Sequence, residues 1–340
     1  MIDSNAWSKK LRAGDRCRPR TQRSLPQQFL DDTLRFVERY ARVEKIVVGG
    51  VEVHYSPASL AVDLSPDGDP ISQGEALAEA ERARLELPAG PVLELQRLIE
   101  AQGIKVAPRL FPASEYAGGF FFDSQMGPCI LLHAGLSESE SLYALAHQYA
   151  HFLADFDPYI TTLCGLPGTA AIEDSVEARA HATALAFLMP RSDLELYRDA
   201  LRGQEGPSAP RHAAKLGAPA GRVVSAEFLQ HLRVYFDLDG EIILWRLLEL
   251  GWIDAPGLRR LLETNAEVAK IVRTPPHEVF PGQMLLPDRF VRLVASAFGS
   301  GRIDLEDAAG YFDTDTDGAE RILGQFEYED NPQAAKGSSQ

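Results

Sequence analysis

Two histidines four residues apart, in the segment LAHQYAHFL at 145–153, are the feature that most constrains the fold of this chain. The helix expected around them opens with Ser137 and Glu140, whose S-x-x-E spacing is typical of a capping box. One helical turn separates His147 from His151, so both imidazoles project from one face and can bind the same metal ion. The sequence therefore predicts one continuous helix that carries part of a metal site.

The face that bears the histidines is not the main apolar face of this helix. A helical wheel places the large apolar side chains on the other side, and they extend the predicted helix to about Phe156. These side chains are Leu142, Leu145, Tyr149, Phe152 and Phe156. Ala144 and Ala154 lie beside the histidines, which leaves two interpretations: a solvent-exposed pair, or a pair that another element approaches closely.

A catalytic zinc site needs three protein ligands and one open position, and a straight helix cannot supply the third ligand. The segment EDSVEARAHATALAFLMP predicts a second helix that ends at Pro190. Glu173, Glu177 and His181 share one face of that helix. Glu177 is the nearest source of a third ligand, and Glu173 is the alternative. A polar contact between two helices, without a metal, is the other explanation of the pattern.

Composition excludes several other classes of protein. The chain has no apolar run of about 18 residues and no signal-peptide core, so a cytoplasmic protein without membrane spans is expected. Cys17, Cys129 and Cys164 form no C-x-x-C pair, which favours reduced cysteines over disulfides or a thiolate zinc site. The formal net charge is −15, and most of the clustered positive charge lies in residues 1–24, so general binding of nucleic acid is not expected.

Patterns along the chain predict helices around a few short strands. IKVAPRLF, GGFFFD and PCILLH, all before the histidine helix, are typical of strands, and the segment DPYITTLCGLPGTA after it is expected to be a loop. We divide the chain into a basic mobile tail (1–26), a helical element and linker (27–73), a central α+β domain (74–200), a helical region (201–274), a small acidic helical region (275–330) and a disordered tail (331–340).

Two further motifs, a helix-turn-helix outline and a partial calcium loop, are each incomplete. Residues 226–253 have the outline of a helix-turn-helix, but the second helix offers only Arg246 for base contacts, which favours a packing or partner-binding role. Residues 313–318, DTDTDG, match the first half of a calcium loop, yet Gly324 stands where the bidentate glutamate is needed.

The segments ILLHAGLSESESLYALAHQYAHFL and EARAHATALAFLMP resemble the ImmA/IrrE metallopeptidase family over about residues 74–200. The resemblance implies an α+β, zincin-like (gluzincin-type) minimal metallopeptidase domain with helical N- and C-terminal regions. It implies a zinc ion (Zn2+) held by His147, His151 and Glu177. His181 replaces the family's usual asparagine, and His133, directly after a predicted strand, is a further candidate for the cleft.

Gln148 is the departure from the family pattern. The family has a glutamate there, the general base that takes a proton from the attacking water. Glutamine keeps the shape but takes no proton, so the chain is expected to bind zinc and to cleave poorly. Either a deliberate Glu-to-Gln substitution traps intact substrate, or the protein is a natural pseudo-peptidase that regulates a partner by binding.

The resemblance also implies a substrate. It would be a helix-turn-helix repressor or antitoxin whose cleavage releases a stress, phage or mobile-element response. A DNA-binding regulator acting through residues 226–253 is the weaker alternative.

Overall fold

The protein is described here by a computed structural model covering residues 25–49, 62–112, 116–156, 162–166, 174–204, 224–272 and 286–330. These residues form an α+β fold in which helices surround one small sheet. The strands are β1 (Lys105–Arg109), β2 (Gly118–Asp123), β3 (Gly127–His133) and β4 (Thr162–Cys164). The helices before residue 205 are α1 (Gln27–Val48), α2 (Pro70–Arg84), α3 (Leu95–Ala101), α4 (Glu138–Ala154), α5 (Ser175–Leu188) and α6 (Arg191–Gln204). Those after it are α7 (Ala226–Phe236), α8 (Gly240–Glu249), α9 (Ala255–Thr264), α10 (Ala266–Val272), α11 (Asp288–Gly299), α12 (Leu305–Phe312) and α13 (Thr316–Asp330).

The sheet is mixed and has the strand order β1-β3-β2-β4. β3 pairs with β1 in parallel and with β2 in antiparallel orientation, and the short strand β4 pairs antiparallel with β2. Successive side chains of a strand point to opposite faces. Phe120 and Ile130 therefore enter one core, and Phe121 and Cys129 enter the other.

The two cores belong to two helical layers. The face with Ile130 packs against α3, α4 and the helices around them, whereas the opposite face packs against α1 and α11 to α13. Within the first layer α2 lies very close to α5: a Cβ atom on Gly74 would be only 2.5 Å from that of Ala182. The glycine on one helix and the alanine on the other allow this close approach. On its other side α5 packs against α4.

Most of the predicted elements are present. The three predicted strands correspond to β1, β2 and β3, and the capping box opens α4. The helix predicted to run to about Phe156 ends at Ala154. One prediction was wrong: the segment expected to be a loop contains β4. The linker predicted up to residue 73 overlaps the start of α2.

Several predictions about the chain's organisation stay predictions. The boundaries near residues 73 and 200 fall inside α2 and α6, and nothing else bears on the division into domains. The mobile tail was predicted for 1–26 and the disordered tail for 331–340; apart from residues 25 and 26 these lie outside the described residues. No helix within the described ranges is both long enough and apolar enough to cross a membrane.

The helix pair predicted at 226–253 is formed by α7 and α8, and α8 packs on α4 and α5. Arg246, the one basic residue of α8, is fully buried and bonds Glu75. It is therefore not available to read a base edge, in agreement with a packing role for this pair.

Candidate metal centre

The first part of the candidate site is the buried face of α4. Ser137 Oγ accepts a hydrogen bond from the Glu140 N–H at 3.2 Å, and the Glu140 carboxylate accepts one from the Ser137 N–H at 2.8 Å. This capping box fixes where the helix begins. His147 and His151 are 4% and 1% exposed, and their Nε2 atoms lie 3.2 Å apart. The interpretation as a solvent-exposed histidine pair was wrong.

Glu177 approaches both histidines from the first turn of α5. Asp174 caps this helix by accepting hydrogen bonds from the N–H groups of Val176 and Glu177 at 2.8 and 3.2 Å. The Glu177 carboxylate lies 3.0 Å from His151 Nε2 and 3.4 Å from His147 Nε2. A helix N-terminus favours a negative charge, so α5 helps to keep this group ionised.

Cys164 is a member of the site that sequence reasoning missed. Its Sγ atom lies 3.4 Å from His151 Nε2 and 3.8 Å from Glu177 Oε1. The ligand atoms of the four residues, which we call the metal cluster (His147, His151, Cys164 and Glu177), all lie within 4.8 Å of one another. The Thr-Leu-Cys alternation of β4 is the sequence signal for this residue, and it lies in a segment that the sequence predicts to be a loop.

The outer nitrogen of each ring has a partner of its own. His151 Nδ1 lies 3.0 Å from Asp155 Oδ2, and Asp155 also pairs with Arg179. His147 Nδ1 lies 3.3 Å from the Tyr143 hydroxyl. If Nδ1 carries the proton in both rings, the Nε2 lone pairs face the Glu177 carboxylate, which is how ligands are arranged around a shared cation.

The protonation states expected for His147 and Glu177 are also those that bind a metal ion. Burial lowers the pKa of His147 in spite of the nearby Glu177 carboxylate. Burial raises the pKa of Glu177, but without metal the two rings can donate from Nε2 to its carboxylate, and this outweighs burial, so the net pKa lies well below its usual range. A neutral imidazole and an ionised carboxylate are the forms that bind metals. Two imidazoles and a carboxylate from separate helices form a donor set that fits zinc.

Gln148 is held beside the cluster. It is 1% exposed, and its Oε1 accepts a hydrogen bond from Thr162 Oγ1 at 3.1 Å. A Cβ atom on Gly118 would lie 2.7 Å from the Leu131 carbonyl oxygen and 3.4 Å from Gln148 Cγ, so the neighbouring strand β3, more than Gln148, requires a glycine at this position of β2. Thr162 and Cys164 lie two residues apart on β4 and therefore face the same way, toward α4.

Three other residues are predicted to line the site or to serve as the alternative ligand: His181, His133 and Glu173. His181 lies next to the cluster, with Nδ1 2.8 Å from the Tyr143 hydroxyl, and burial and the neighbouring His147 lower its pKa to about 3. His133 is not one of the four clustered residues: its Nδ1 accepts a hydrogen bond from the Gly135 N–H at 2.7 Å, and its ring stacks on Phe111. Glu173, the alternative third ligand, lies outside the described residues.

A short mixed sheet, a helix with two buried histidines and a glutamate from the next helix define a zincin-like metallopeptidase domain. A peptidase family model, described as the IrrE N-terminal-like domain, matches residues 99–222. This match includes the whole metal cluster, so residues 99–222 match a domain of the ImmA/IrrE family of metallopeptidases. A comparison with curated proteins gave no match.

Proposed function

We propose that this chain is a zinc-dependent ImmA/IrrE-type protein that binds a polypeptide beside α4 and hydrolyses it slowly. The observation that supports this best is the convergence of His147, His151 and Glu177 next to Gln148, which has the place of the family's general base. The partner we propose is a helix-turn-helix repressor or antitoxin, acted on in the cytoplasm. Its removal would release a stress, phage or mobile-element response.

The position of β4 supports a polypeptide as the bound molecule. Among the described strands β4 forms one edge of the sheet, with β2 as its neighbour. A peptide that adds to a sheet edge as a further strand is a common mode of recognition. Since Cys164 of β4 belongs to the metal cluster, a strand added here would run past the metal.

Each residue of the site has a role in this proposal. His147, His151 and Glu177 would hold zinc, and Tyr143 and Asp155 keep the imidazoles oriented. Zinc, when bound, polarises a peptide carbonyl and lowers the pKa of water. Gln148 can orient water by hydrogen bonding, but its amide takes no proton near neutral pH. A general base contributes about 10²–10⁴-fold, so the rate should be reduced by about that factor.

Metal analysis tests the ligand assignment. We expect about one zinc ion per chain and loss of that zinc in the His147→Ala and Glu177→Ala variants. Full zinc occupancy in either variant would show that the assignment is wrong.

The Gln148→Glu substitution tests the role of residue 148. The Thr162 hydroxyl can donate to a carboxylate as it does to the amide, so the variant should fold in the same way. Cleavage of purified repressors from neighbouring genes should rise by about 10²–10⁴-fold and stop with chelator. Gln125→Glu is the matched control, because it adds the same charge at an exposed turn and should change nothing.

A natural pseudo-peptidase is the second candidate, and an intact ligand set beside a residue without basicity favours it. It predicts that the Gln148→Glu variant binds zinc and a repressor but leaves the repressor uncut. Cleavage by the unmutated chain, abolished by chelator, would contradict the impairment and would show that another group supplies the base. Glu173 would then be the first residue to replace.

A further inference from the structure

The two cysteines of the described sheet have different surroundings. Cys129 lies in the core formed with α1 and α11 to α13, and burial raises its pKa to about 12. Cys164 is also buried, but its Sγ lies against His151 Nε2 and Glu177 Oε1, at 3.4 and 3.8 Å. Of these two thiols, only Cys164 is placed among metal-binding atoms.

The strand register explains why Cys164 reaches the metal cluster. β4 pairs with β2 so that Cys164 lies opposite Gly118 and Thr162 lies opposite Phe120. The Cys164 carbonyl accepts a hydrogen bond from the Ala117 N–H at 2.8 Å, and Thr162 Oγ1 accepts one from the Phe120 N–H at 3.2 Å. These bonds fix the register of the strand, and a shift by one residue would point Leu163 at the histidines instead.

We propose that Cys164 is a fourth zinc ligand, so that the site is a closed set of two imidazoles, one carboxylate and one thiolate. The inference rests on the proposed zinc site. Four protein ligands are typical of structural zinc sites, whereas catalytic sites keep one position for water. The thiol releases its proton to solvent as the metal binds. The closed set gives the domain a second reason, besides Gln148, to hydrolyse peptides slowly.

The ligand set has a consequence for activity. Cys164 would occupy the position that a catalytic site leaves open, and Gln148 would supply no base. The Gln148→Glu variant should therefore regain less activity than the Gln148→Glu, Cys164→Ala double variant. If Cys164 is not a ligand, the two variants should cleave at the same rate.

Cobalt substitution of the full chain is the decisive experiment. We expect one Co2+ per chain and a sulfur-to-cobalt charge-transfer band in the near ultraviolet. Cys164→Ala should keep the metal and lose the band, whereas Cys17→Ala and Cys129→Ala should keep both. X-ray absorption of the zinc form should show one sulfur at about 2.3 Å. Loss of a residue that only hydrogen-bonds to a ligand typically lowers metal affinity by about 10–100-fold. Loss of Cys164 should lower zinc affinity by more than that.

The outcomes separate this inference from the proposed function. Stoichiometric metal without a sulfur signal in the unmutated chain would overturn the role of Cys164 and leave the three-ligand site intact. A sulfur signal that survives Cys164→Ala would have the same meaning. Failure of the unmutated chain to bind metal at all would overturn both. Because the unmutated chain decides the question, a Cys164 variant that does not fold cannot obscure it.

Discussion

Two buried polar clusters lie at the two ends of α5. At its N-terminus is the metal cluster; at its C-terminus is a second one, which we call the arginine cluster (Glu75, Arg246 and Glu249). Arg246 bonds Glu75 at 2.7 and 3.0 Å, Glu249 at 2.7 Å and the Met189 carbonyl at 3.0 Å. Each cluster suits the helix dipole, since Glu177 lies at the positive end and Arg246 at the negative end.

The clusters differ in whether the protein supplies the cation. The arginine cluster contains its own positive charge, although burial, opposed by Arg246, still raises the pKa of Glu249 to about 7. The metal cluster contains donor atoms, with Nε2 atoms 3.2 Å apart and a carboxylate over both. A buried charge is costly unless it is paired. The arginine cluster should therefore stabilise the fold unaided, whereas the metal cluster should do so only when metal is bound.

The largest effect is expected from Arg246→Met. The change leaves Glu75 and Glu249 without their shared partner, and breaking a buried pair costs about 3–5 kcal/mol in the free energy of unfolding. Denaturant titration should give the same loss with and without chelator. Arg259→Met is the matched control, because Arg259 is exposed on α9 and should cost no more than about 0.5 kcal/mol. A loss that depended on zinc would mean that the two clusters are coupled.

Zinc removal should have the next largest effect, and only at the metal cluster. Zinc at about 100 times its Kd should raise the free energy of unfolding by about 2.7 kcal/mol. The increase should disappear in His147→Ala and persist in Arg246→Met, as thermal unfolding with and without zinc would show. If His147→Ala kept the full increase, a different site would be responsible for it.

Local patterns were sufficient for the parts of the site that lie on one element. Two of these features belong to a single helix: the i, i+4 spacing of His147 and His151 and the capping box before them. The structure contains both the predicted helix and its capping box. The strands β1 to β3 each have enough apolar residues to be recognised. Glu177 required the resemblance to a family, because spacing alone left Glu173 open.

The features of the site that depend on long-range pairing could not be predicted from local sequence patterns. β4 has only three residues and is stabilised by its register with β2, in which Cys164 lies opposite Gly118. No local periodicity indicates that pairing, so the sequence alone predicts no role for Cys164. The same limit applied to Arg246, whose partner Glu75 is 171 residues away in the chain. The helical wheel also could not show that α5 covers the histidine face.

The smallest effect distinguishes an orienting side chain from a ligand. Tyr143→Phe removes the hydroxyl that lies 3.3 Å from His147 Nδ1 and 2.8 Å from His181 Nδ1. Loss of such a partner typically weakens metal binding by about 10–100-fold without abolishing it. Tyr149→Phe is the matched control: it lies on the same helix and is equally buried, but its hydroxyl bonds Glu81. Competition with a coloured chelator should show weaker zinc binding in the first variant only. Equal zinc affinity in both variants would mean that Tyr143 does not orient His147.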